Sequence, residues 1–129
     1  MSIELRMLAW SVVLGLVQTG IATLGLLSQR GPGWAAGARD TTPPALAGMA
    51  GRLDRARANF LETFPFFVAV ALATIALQRH DATTALGAQL YFWARLAYVP
   101  IYAAGIPYLR TLVWAASLVG IVILLGALF

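Results

Sequence analysis

The chain has 129 residues, 60% of them hydrophobic and only 11% charged, with a mean hydropathy of +0.80. That leaves too little polar surface to cover a soluble domain of this size, so the composition selects a membrane protein. All nine basic residues are arginine and, against five acidic residues, give a net charge of +4, but most stand at the ends of apolar runs and not on one solvated face, which argues against a nucleic-acid partner.

The first apolar run covers about residues 5–28, long enough to cross a bilayer. It exceeds a signal-peptide core, Glu4 precedes Arg6, and no clean small-residue cleavage site closes it, so it is expected to be a retained helix. Gly15, Thr19 and Ala22 form a small-residue stripe that would let a neighbouring helix approach. Gln29 to Met49 carries Gly31, Pro32, Gly33, Gly37, Pro43, Pro44 and Gly48 and is expected to be one long loop. A second run follows at about 53–78. Pro65 lies within it, one turn beyond Glu62, where a kink would open room beside that carboxylate. Gln78–Thr84 is a short polar turn. His80 sits there between Arg79 and Asp81, and with no second histidine it reads as a solvated turn residue with no metal to hold. The third and fourth runs cover about 84–104 and 108–128, parted at Gly105 and Pro107. The expected fold is all-α, a single four-span domain over residues 1–129 folded as an integral-membrane up-down four-helix bundle.

Arginine is concentrated around the first loop, and Arg110 edges the third. The positive-inside rule then places the first and third loops in the cytoplasm and both termini on the opposite side.

The polar residues inside these runs converge. Arg55, Asn59 and Glu62 share one helical face of the second run, and Tyr91, Arg95, Tyr98 and Tyr102 share one face of the third. A bare carboxylate or guanidinium in hydrocarbon costs several kcal/mol on the order of the insertion scales, so Glu62 and Arg95, at matching depth, are expected to pair. Toward the cytoplasm from this pair lie Arg55, Asn59, Tyr98 and Tyr102, with Arg110 and Arg30 at the same level. Guanidinium groups suit carboxylates and thiolates, so the expected ligand is anionic at one end. Because the pocket would open into lipid, the ligand is either apolar at its other end or accompanied by an apolar second substrate. The same residues could instead be an interhelical polar network with interfacial arginines and tyrosines. There is no cysteine, so any thiol chemistry needs a thiol supplied by the substrate.

These motifs resemble the family of membrane-associated proteins in eicosanoid and glutathione metabolism, which includes microsomal glutathione transferases, leukotriene C synthase and microsomal prostaglandin E synthase. The resemblance is carried by Arg55-Ala56-x-x-Asn59-x-x-Glu62-x-Phe64-Pro65 and by Arg95-x-x-Tyr98-x-x-x-Tyr102 ahead of Arg110, within four spans of matching order. It implies a homotrimer with glutathione as co-substrate, bound between subunits on the cytoplasmic side. Arg55, Asn59, Glu62, Tyr98 and Tyr102 would frame the glutathione, with Arg30 as a looser match. Arg95 would brace Glu62, and Arg110 would stabilise the thiolate as the catalytic residue. The chain departs from the leukotriene-forming pattern in having Thr63 after Glu62 and one extra residue between Tyr102 and Arg110. The implied activity is a glutathione transferase or peroxidase acting on hydrophobic electrophiles or hydroperoxides, with no metal. A non-catalytic lipid-binding or assembly protein of the same fold, and a small transporter, stay open on the residues alone.

Overall fold

A computed structural model describes residues 1–129 and contains four helices: α1 (Ile3–Ala36), α2 (Gly48–Ala76), α3 (Ala82–Ala103) and α4 (Pro107–Gly126). Each boundary has a local cause. Ser2 caps α1 by accepting from the Leu5 amide at 3.2 Å, and Asp81 and Thr84 form a reciprocal capping box at the start of α3. Pro107 opens α4, where its fixed φ suits a helix and its missing N–H is no loss. The ends of α2 and α3 are Schellman turns. Gly105 (φ 75°) brings its amide to the Tyr102 carbonyl and the Ile106 amide to Ile101, and Gln78 (φ 54°) does the same work after α2.

The long first loop is shorter than expected. Gly31 takes a non-helical conformation (φ 81°, ψ 157°), but Pro32 restarts the helix as far as Ala36, because proline is tolerated in a first turn. The connection to α2 is pinned by Gln29, whose amide donates to the Ala47 carbonyl at 3.0 Å and accepts from the Ala47 amide at 2.8 Å. Helix α2 runs unbroken through Pro65.

The helices alternate in direction. Glu4 accepts from the Thr84 hydroxyl and Arg79 donates to the Leu128 carbonyl at one end, while Arg52 donates to the Ala103 carbonyl at the other. Both termini and the Arg79–Asp81 turn therefore share one end of the bundle, and the first and third loops share the opposite end. Helix α1 packs on α2 and α3, and α4 packs chiefly on α3, with no close backbone approach between α1 and α4. The core at the terminal end is built from Leu8, Phe67, Ala88, Tyr91, Ile121 and Leu124.

Close approach is clearest between α3 and α4. A Cβ on Gly87 would sit 3.0 Å from the Gly120 carbonyl oxygen, so the two backbones touch through paired glycines. In lipid, such small-residue contacts supply the dispersion that hydrophobic burial supplies in water. Helices α1, α2 and α4 are long and apolar enough to span a bilayer. Helix α3 is less apolar because it carries Arg95, Gln89 and three tyrosines, and 8 of its 22 residues are buried. The fold is an all-α membrane bundle.

Candidate functional site

One cleft of about 490 Å³ opens on the flank of the bundle near the first- and third-loop end. It gathers Arg55, Asn59 and Glu62 from α2, Tyr98 and Tyr102 from α3, and Arg110, Thr111 and Trp114 from α4. The α2 residues arrive together because their spacing stacks them on one face, and Tyr98 and Tyr102 do so for the same reason. Tyr102 is the hub. Its hydroxyl accepts from Arg55 Nε at 3.2 Å, the Arg110 guanidinium lies 4.7 Å from its ring centroid, and Tyr98 meets it edge-on at 5.6 Å. These contacts orient both arginines while leaving hydrogen-bonding capacity free. The terminal nitrogens of Arg55 bond to no protein acceptor, and the Arg110 side chain donates to none at all. The buried Asn59 Oδ1 likewise has no partner. Two guanidinium groups against the single Glu62 carboxylate leave the cleft cationic, with phenols, an amide and the Thr111 hydroxyl to orient a ligand.

One expectation is corrected. Glu62 and Arg95 do not form an ion pair: the one salt bridge within 4 Å is Arg57–Asp54, and all three Arg95 guanidinium nitrogens lack partners. Glu62 is exposed on the cleft, whereas Arg95, 1% exposed, turns inward with its guanidinium 4.4 Å from the Tyr98 ring and 5.6 Å from Phe60. Cation–π contact replaces the expected carboxylate. Tyr91 also leaves the polar stripe. It is fully buried, stacked on Phe67 at 4.0 Å with its hydroxyl 3.3 Å from Thr63 Oγ1, because α2 packs over that part of α3. Arg30 stays out of the cleft, donating to the Pro44 carbonyl at 3.0 Å and lying over Trp34. The Gly31 break turns its stretch of α1 toward the first loop.

Trp114 was not singled out by the sequence reading, yet it forms part of the cleft wall. Its position one helical turn after Arg110 was the available signal. The small-residue stripe of α1 divides: Gly15 packs on Phe60, where an added Cβ would meet the ring at 3.0 Å, and Ala22 is buried, but Thr19 is exposed.

No curated protein gives a significant match to the chain. A family model described as MAPEG family matches residues 7–129, which includes all four helices almost in full and every residue of the cleft. The chain belongs to the MAPEG family.

Proposed function

We propose that the protein is a membrane-embedded glutathione-dependent transferase or peroxidase acting on hydrophobic electrophiles or hydroperoxides. The observation that carries this reading is the shared cleft in which Arg55 and Arg110, both held against Tyr102, present uncommitted guanidinium nitrogens beside Asn59 and Glu62. The two arginines suit the carboxylates of glutathione and its thiolate, and Glu62 suits its ammonium group. A free thiol of pKa about 8.5 is only a few per cent ionised near neutral pH, and a guanidinium within about 4–6 Å lowers such a pKa by roughly 1–3 units. Arg110 fits this role, having no protein acceptor for its side chain.

In the transferase reaction, the thiol proton passes to solvent and the sulfur attacks an electrophilic carbon. A C–S bond forms as the bond to the leaving group breaks with its electron pair. In the peroxidase reaction, two thiols reduce one hydroperoxide to alcohol and water and are oxidised to the disulfide. Further parts of the reading are a homotrimer that completes the cleft between subunits and a cytoplasmic placement of the first and third loops. Family membership supports the trimer, and the arginine-rich first loop supports the orientation.

The test is calorimetric and thermal-shift titration of the detergent-purified protein with glutathione, followed by the ultraviolet thiolate band of the complex in wild type and Arg110→Ala. Binding with a thiolate band that Arg110→Ala removes is the expected result. No stabilisation at millimolar glutathione would instead support a non-catalytic relative that keeps the fold.

A further inference from the structure

Beside the cleft, where α3 turns into α4, lies a smaller hollow of about 210 Å³. Its walls are Arg52, Arg55 and Arg110 with the Gly105–Pro107 turn, and no carboxylate lines it. Arg52 is held by donation from its Nε to the Ala103 carbonyl at 2.8 Å, and Arg55 by donation from its Nε to the Tyr102 hydroxyl at 3.2 Å. Both anchors use the inner nitrogen and leave the terminal nitrogens without protein acceptors. Arg110 has only its ring contact with Tyr102; three guanidinium groups lining one hollow repel one another, and that repulsion is relieved by an anion bonded to all three. The start of α4 adds to the field, since its N-cap Ile106 supplies no side-chain acceptor to the first-turn amides. Tyr108, Leu109 and Leu112, in the first two turns of α4 around Arg110, are all exposed and give this end of the helix the aromatic and apolar surface expected at the edge of a bilayer.

We propose that this hollow is an oxyanion site for a phosphate group, carried by an acidic phospholipid at that face of the membrane or free in solution. Because Arg55 and Arg110 line both the hollow and the cleft, an occupying phosphate weakens glutathione binding. Only this coupling rests on the glutathione reading; phosphate binding itself does not.

The experiment follows thermal stability of the full chain with inorganic phosphate in detergent, against chloride at equal ionic strength. A second arm uses nanodiscs of phosphatidylcholine with and without phosphatidylglycerol. Wild type is expected to be stabilised by phosphate beyond chloride, and its apparent Kd for glutathione to rise roughly fivefold under saturating phosphate. Arg52→Gln should lose the phosphate response while its glutathione Kd stays within about twofold of wild type, and Arg52→Lys should recover part of the response. A response to phosphatidylglycerol identifies the lipid as the source, and a response to inorganic phosphate alone identifies the free anion. Equal effects of phosphate and chloride with no phosphatidylglycerol effect overturn the site, as does a phosphate response that survives in Arg52→Gln. If glutathione fails to bind but phosphate stabilises, the site stands without the coupling. If glutathione binds and neither phosphate source acts, this inference alone falls.

Discussion

Replacing Gly120 by alanine should force α3 and α4 apart. A Cβ at Gly120 would lie 2.6 Å from the Gly87 carbonyl oxygen and 2.8 Å from the Tyr91 amide nitrogen. Both are backbone atoms of the facing helix, so no rotamer change relieves the clash, and reaching ordinary contact at 3.4 Å requires local separation of about 0.8 Å. Overpacking typically costs about 1–3 kcal/mol, and rigid backbone at both points puts this case at the upper end. On soluble-domain scaling, roughly 3 kcal/mol is a fall of about 10 °C in Tm. Thermal unfolding of the detergent-purified variant, followed by circular dichroism, measures it. Gly20→Ala is the control, because nothing lies within 4 Å of its added Cβ and the helix propensity gain is at most about 1 kcal/mol. Since Tyr98 and Tyr102 ride on α3 while Arg110 and Trp114 ride on α4, the separation should also weaken glutathione binding. A Gly120→Ala protein that melts at or above Gly20→Ala would refute the glycine contact as the element that sets this spacing.

Three further outcomes are expected. Glu62→Gln and Arg95→Met should be additive in a double-mutant cycle, with coupling below about 0.5 kcal/mol, because the two groups do not pair; coupling above about 1 kcal/mol in unfolding experiments would restore the ion pair. Gly51→Ala should weaken glutathione binding about tenfold, or about 1.4 kcal/mol by calorimetry. Its new Cβ would collide with the Leu46 carbonyl oxygen and crowd Arg55 Nη1 at 3.3 Å. Glu4→Ala removes a buried carboxylate that accepts from Thr84 Oγ1 at 2.6 Å, so it should lower stability by about 1.5–3 kcal/mol. Lying at the end opposite the cleft, it should leave glutathione affinity unchanged, and a shifted Kd would contradict the separation of the two ends.

Periodicity and composition were sufficient to read four helices, the α2 face of Arg55, Asn59 and Glu62, and the Tyr98–Tyr102 pair beside Arg110. All of these depend on helical spacing, which a one-dimensional pattern records directly. The stripe on α3 shows where spacing stops being informative: Tyr91, Arg95, Tyr98 and Tyr102 share one face, yet Tyr91 enters the core and Arg95 turns to aromatic rings while the other two reach the cleft. Depth along a helix indicates which groups could meet, but pairing depends on the rotation of each helix about its axis and on what its neighbours cover. Those quantities come from packing against other helices, and so Glu62 faces the cleft while Arg95 faces Phe60 and Tyr98. The Gly87–Gly120 contact, the inclusion of Trp114 and the exclusion of Arg30 have the same origin, because each depends on how close two distant segments approach and at what angle.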